Sequence, residues 1–140
     1  MYKRQELVAE IGGIRYFNDS KGTNVGAVIR SLESFAVPIV LIAGGKDKQS
    51  DFTPLQLVVR ERVKRLILIG QAAAKLRSQL DGACPMEEAG DLHDAVRRAA
   101  AAASTGEVVL LSPACASFDM FTDFEARGRV FKEAVRGLAS

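Results

Sequence analysis

One histidine and two cysteines in 140 residues leave this sequence few side chains for a transition metal. Cys84 and Cys115 stand in no C-x-x-C or zinc-type spacing. They are expected as reduced thiols of a cytoplasmic protein, and no metal site is expected. No apolar run is long enough to cross a bilayer. The opening MYKRQELVAE lacks the apolar core of a signal peptide, so the expected location is the cytoplasm. The net charge is only +2, with both signs interspersed, which argues against nucleic acid or a membrane surface as partner. Several phosphate and nucleophile motifs are also missing. There is no G-x-x-x-x-G-K-[ST] and no G-x-G-x-x-G after a strand, so this chain has no P-loop and a weak case for a dinucleotide. A phosphate-cradling cysteine would want an arginine six positions after Cys115, where Phe121 stands. Ser117 has no histidine partner, because His93 is expected on the surface of a separate helix; a Ser-His-Asp triad is set aside.

What remains is a chain of ordinary single-domain size, 48% hydrophobic and 26% charged, with enough apolar residues for a sizeable core. Glu6 to Ile11 and Ile14 to Phe17 flank Gly12-Gly13, the pattern of a two-residue β-hairpin. Val25, Val28, Ile29, Leu32 and Phe35 follow with helical spacing. Pro38 to Ala43, Arg65 to Ile69 and Val108 to Ser112 are short continuous apolar runs, expected as strands buried on both faces. Pro85 to Ala89 reads as a weaker strand. Helices are expected from Thr53-Pro54, with Thr53 as cap and Gln56 at capping-box spacing, from Gln71 to Leu80, from Asp91 to Ala103, and from Ser117 to the end. Alternating apolar strands and helices predict an α/β fold. The expected architecture is a Rossmann-like, doubly wound, mostly parallel sheet, helices on both faces and the first hairpin strand as antiparallel edge.

In such a sheet ligands bind beyond the carboxyl ends of the strands. Three of those ends are rich in polar groups: Asn18-Asp19-Ser20-Lys21-Gly22-Thr23-Asn24, Gly44-Gly45-Lys46-Asp47-Lys48-Gln49-Ser50-Asp51, and Ser112-Pro113-Ala114-Cys115-Ala116-Ser117. Helix N-termini expose unpaired N–H groups that favour anions, and Lys21 and Lys48 add formal charge. Together they predict a site for phosphate or carboxylate groups. Plainer readings stand beside this one. Asp19, Ser20, Thr23 and Asn24 are all able to cap a helix, although one cap needs one such residue and none needs Lys21. GGKDKQSD also fits a solvated turn, Ser117 fits an N-cap, Phe118 and Phe124 fit a core, and Cys115 fits a small buried residue.

RQELVAEIGGIRYFNDSKGTN, LIAGGKDKQSDFTPL and LLSPACASFDMFTDFEARGRVFKEAV, in this order and spacing, resemble the C-terminal domain of the Mur ligases, most of all the D-glutamate-adding branch. The motifs cover nearly half of the chain. The Pro-His-Arg usual before the hairpin is here Tyr2-Lys3-Arg4. The resemblance implies that residues 1–140 are one domain excised from a three-domain ATP-dependent ligase of peptidoglycan synthesis. The other domains would hold UDP-N-acetylmuramoyl-L-alanine, the P-loop and the magnesium ligands. ATP would phosphorylate the terminal carboxylate, and the D-glutamate amine would attack the acyl phosphate. By the same resemblance Thr23 and Lys48 would hold one glutamate carboxylate, and Ser117 with the backbone near Phe118 and Phe124 the other. Asp19 would face the ribose of ATP, and Lys21 would approach its phosphates after closure as the catalytic lysine. Lys48 is chosen over Lys46 by its distance from Asp51-Phe52. Which pole takes the α-carboxylate stays open. Two other classes also stay open: the equivalent domain of another Mur ligase or of a folylpolyglutamate synthase, and a non-enzymatic anion-binding module.

Overall fold

The computed structural model describes residues 5–46, 49–116 and 123–139. Its hairpin is the one Gly12-Gly13 requires. Both glycines have positive φ, 61° and 79°, as a tight two-residue turn demands, and β1 (Glu6–Ile11) pairs antiparallel with β2 (Ile14–Asn18). The remaining elements are α1 (Val25–Glu33), β3 (Ile39–Gly44), a 3-10 turn at Thr53–Leu55 running into α2 (Gln56–Arg62), β4 (Val63–Ile69), α3 (Ala73–Gln79), β5 (Met86–Glu88), α4 (Leu92–Ala102), β6 (Val108–Leu111) and α5 (Phe124–Gly137). The six strands form one sheet in the order β1-β2-β6-β3-β4-β5, parallel throughout except for the β1 edge.

The apolar runs of β3, β4 and β6 are continuous because both faces of the sheet are covered. Successive side chains point to opposite faces. Ile39, Leu41, Leu66, Leu68, Val108 and Leu110 pack on one side against α1, α2 and α3, through Val28, Leu32, Val59 and Leu76. Val40, Ile42, Ile67, Ile69, Val109 and Leu111 pack on the other against α4 and α5, through Val96, Ala99, Phe131 and Val135. The doubly wound arrangement expected from the sequence is thus the observed one.

Two cap assignments differ from expectation. Thr53 does not cap α2. The 3-10 turn already includes Thr53 as its first residue, with Phe52 at the flanking position, and Asp51 accepts from both the Thr53 backbone N–H (3.0 Å) and its hydroxyl (2.7 Å). Gln56 does not close a capping box; its amide donates to the Gln79 carbonyl at the end of α3. The last helix, expected from Ser117, starts within the described residues at Phe124, with Asp123 as its N-cap accepting from the Ala126 N–H (2.7 Å). Asp91 caps α4 as expected.

The edge strand is tied to α5 by one ion pair. Lys132 meets Glu6 at 3.0 Å, and Asn18 donates to the same carboxylate at 3.3 Å. The Lys132 hydrogen bond, aided by Asn18 and opposed by partial burial, holds the Glu6 carboxyl below its ordinary value of 4.5. The group is more basic unfolded than folded. Its contribution is therefore complete above pH 4.5 and is lost as the pH falls through the lower folded value.

Three outcomes follow from this packing. The Glu6 carboxyl, followed by NMR, will titrate below 4.5, and Lys132→Ala will move it up towards that value. Burial pushes the Cys84 thiol up to about 11, so iodoacetamide at pH 8 will modify it far more slowly than an unstructured cysteine. Gly44 has φ +131°, and a Cβ there would lie 1.9 Å from the Ile69 carbonyl oxygen, which is backbone of the paired strand. Gly44→Ala will therefore cost about 3 kcal/mol or more in urea unfolding.

Candidate active site

The site begins with the register. Asn18 of β2 and Ile42 of β3 both pair with Leu111 of β6, so β2 and β6 end level with one another and β3 runs two residues further, to Gly44, at the same edge of the sheet. The loops that leave them are the three polar segments expected from the sequence. Backbone hydrogen bonds then join the loops. The Asp19 N–H donates to Leu111 O (2.8 Å), the Ala114 N–H to Gly22 O (2.7 Å), the Gly44 N–H to Pro113 O (2.9 Å) and the Lys46 N–H to Ala116 O (2.8 Å). Ala114 makes its bond from a left-handed conformation, φ 64°. Lys46 and Ala116 form a short antiparallel bridge. They are the last described residues before Lys48 and Ser117. The stems carrying those two side chains are therefore held together, while Lys48, Ser117 and Phe118 themselves lie outside the described residues.

Of the other expected site residues, Asp19, Lys21 and Phe124 line one cavity of about 360 Å³, with Asn18, Ser20 and Gly128 in its wall. Lys21 is exposed and Phe124 half-buried. Thr23 is exposed on the same loop, two residues from Lys21, with its N–H bonded to the Lys21 carbonyl (2.7 Å). Asn24 is the cap of α1, accepting from the Ala27 N–H (2.9 Å). One residue of the segment thus does the capping and the others are released for different work. The first turn of α1 carries no acidic side chain, so the positive end of its dipole beside Thr23 is left for an incoming anion.

Asp19 is only 1% exposed. Its Oδ2 accepts from the hydroxyls of Ser31, on α1, and Ser112, after β6 (3.1 Å to Ser112). The carboxylate fixes the β2 loop to both neighbours while its residue still lines the cavity. A second buried charge completes the arrangement. Arg127 of α5, also 1% exposed, donates through Nη1 to Cys115 O and through Nη2 to Ser20 O, each at 3.1 Å. Neither Ser31 nor Arg127 figures among the site residues expected from sequence. The available signal was helical phase. Ser31 falls between Val28 and Leu32 on the buried face of α1, and Arg127 falls between Phe124 and Phe131 on that of α5.

A wider depression of about 860 Å³ lies at the opposite end of the sheet, among Phe35, Pro38, Arg62, Lys64 and Glu107. It is away from the strand carboxyl ends, and its Lys64–Glu107 pair (2.9 Å) is a surface ion pair. The chemistry concentrates at the other rim. Among the described residues no group of three His, Cys, Asp or Glu side chains could hold a metal, and no helix is long and apolar enough to cross a membrane.

The chain is similar to known proteins. A UDP-N-acetylmuramoylalanine–D-glutamate ligase of Geotalea daltonii is 54% identical over 97% of the chain, which covers 30% of that relative. The enzyme of the same name from Acidobacterium capsulatum is 52% identical over 98% of the chain, again 30% of the relative, and that of Bordetella pertussis 51% over 97%, covering 27%. The chain thus spans about 30% of the length of these relatives. Among solved structures, a domain assigned to a UDP-N-acetylmuramate:L-alanyl-gamma-D-glutamyl-meso-diaminopimelate ligase of Haemophilus ducreyi superposes with a TM-score of 0.56. It is 14% identical, over 93% of this chain and 98% of that one, which speaks for the fold alone. The family described as Mur ligase, glutamate ligase domain, matches residues 3–115, and the chain belongs to that family.

Proposed function

We propose that residues 1–140 form the C-terminal domain of an ATP-dependent ligase that adds D-glutamate to UDP-N-acetylmuramoyl-L-alanine in peptidoglycan synthesis. Its task is to bring the D-glutamate and to close over ATP. The observation that carries this reading is the union of the three polar loops at one rim, with Lys21 and Phe124 around a shared cavity. Relatives about half identical over nearly the whole chain bear the name of that enzyme.

D-Glutamate has two carboxylates and needs two anion-binding poles. Thr23 and Lys48 form one in this proposal, with the N-terminus of α1 behind Thr23. Ser117 and the backbone near Phe118 and Phe124 form the other. Each charge-assisted hydrogen bond contributes about 1.5–3 kcal/mol, and ordering costs consume much of the sum, so the open domain binds weakly. Closure excludes water and strengthens every pair.

ATP fits the same rim. Lys21 is an exposed ammonium at the cavity, suited to the phosphates; Asp19, the residue expected to face the ribose, belongs to the cavity wall with its Oδ2 engaged by Ser31 and Ser112, so its part in this reading is to hold the loop that carries Lys21. When bound, ATP supplies the phosphoryl group that activates the acceptor carboxylate. This chain's part is to hold the attacking amine in line and to place Lys21 against developing phosphate charge. Magnesium and the phosphate-cradling loop belong, in this reading, to the other domains.

The expected outcomes are specific. The isolated chain will fold and will not catalyse ATP-dependent ligation; turnover by these 140 residues alone would overturn the division of labour. In the full-length ligase Lys48→Ala will raise the KM for D-glutamate about ten-fold or more, the loss of one charge-assisted contact. Lys21→Ala will act mainly on kcat. An unchanged KM in the first variant removes Lys48 from the substrate pole. NMR titration of the isolated chain should show D-glutamate shifting the loop amides more than L-glutamate does, and the reverse order would favour another amino-acid ligase.

A further inference from the structure

Arg127 is the largest fully buried side chain among the described residues. Burying an ion costs several kcal/mol unless hydrogen bonds compensate it, so an apolar residue would anchor α5 more cheaply. What a guanidinium adds is a rigid planar fork with donors at fixed separation. One arm takes the carbonyl of Ser20, beside Lys21, and the other the carbonyl of Cys115, two residues before Ser117. Its neighbour in the helix is fitted to the same contact. A Cβ on Gly128 would stand 2.7 Å from the Ser20 hydroxyl and 3.0 Å from the Asn18 amide, so α5 reaches the loop only because position 128 has no side chain.

We propose that Arg127 is a positioning residue for amino-acid binding: its fork sets the spacing between the Ser20–Thr23 loop and the described end of the β6 loop at Cys115–Ala116, the two segments from which the functional reading draws its carboxylate contacts. This rests on the D-glutamate reading above. The fork spans loops that the Ala114 N–H to Gly22 O bond also joins, so one spacing is fixed from the helix side and from the loop side. Lysine at 127 would keep the charge but offers a single nitrogen, which cannot hold both carbonyls in the same geometry.

The test compares Arg127→Lys with the unsubstituted chain by amide hydrogen exchange and by D-glutamate titration. Exchange at Gly22 and Ala114 is expected to quicken about ten-fold while the amides of β4 keep their rates, since local openings report on loops and core separately. The dissociation constant for D-glutamate is expected to rise by about the same factor. Unchanged exchange at Gly22 and Ala114 overturns the proposal. So does faster exchange throughout β4, which marks a purely structural role, and so does faster loop exchange with D-glutamate affinity retained. Failure of the unsubstituted chain to bind D-glutamate would instead sink the functional reading and with it the binding role, with the exchange rates still reporting whether the fork joins the loops. Arg127→Gln, which keeps a donor and loses the charge, serves if Arg127→Lys does not fold. Failure of both to fold assigns Arg127 to the fold alone.

Discussion

The shared register of β2, β6 and β3 is the constraint on which the rest of this molecule depends. Parallel pairing places Asn18, Leu111 and Ile42 at one height; the polar segments begin in the next residue after β2 and β6, and at Lys46 after the glycine pair at the end of β3. Once three chains leave a sheet side by side, their backbone groups are unpaired and partly covered, and such groups must find partners. They find one another. The bonds between Asp19 and Leu111, Ala114 and Gly22, and Gly44 and Pro113 continue the sheet's pairing into the loops after the strands have stopped. A site built this way inherits its geometry from the core.

Two formal charges are sunk into that junction, and neither is left to solvent. Asp19 is held by the hydroxyls of Ser31 and Ser112, and Arg127 spends its donors on main-chain carbonyls. Buried charge is tolerated only when hydrogen-bonded, so each group ties its own position to that of its partners. The outward-facing members of the same segments, Lys21 and Thr23, are exposed and remain available to a ligand. The division follows side-chain direction along a loop whose backbone is already fixed.

Much of this was legible in the sequence, for identifiable reasons. The Gly12-Gly13 turn, the three apolar strands and the capping of α4 by Asp91 follow from local chemistry that no tertiary contact overrides. The meeting of the three polar loops at one rim, where the candidate site is drawn, followed from parallel-sheet topology and from the density of polar groups after β2, β3 and β6. What was not legible depended on competition or on phase. Thr53 had the right type for a cap, but the 3-10 turn starts one residue early and takes it in, with Asp51 accepting from the Thr53 N–H and hydroxyl. Asp19 read as a ligand-facing carboxylate, and its burial against Ser31 and Ser112 needed the third dimension. Arg127 sat in the apolar stripe of the last helix, where a charged residue is easily passed over as a boundary of the pattern.

Alanine, and not glycine, occupies the left-handed position at 114. The methyl group costs about 1–2 kcal/mol in that conformation. Glycine there would relieve this and, in exchange, would widen the unfolded ensemble by roughly 0.4–1 kcal/mol of chain freedom. The strain is the larger of the two, so stability alone favours glycine, by roughly 1 kcal/mol. Stiffness differs too. A Cβ confines the torsions to a small island of conformations, so the corner that meets Gly22 swings through a narrower arc than a glycine would permit. A pivot of that kind transmits rotation without absorbing it. Through the Ala114 N–H to Gly22 O bond the loops beyond β2 and β6 meet at that stiff corner, so a displacement of one is passed to the other.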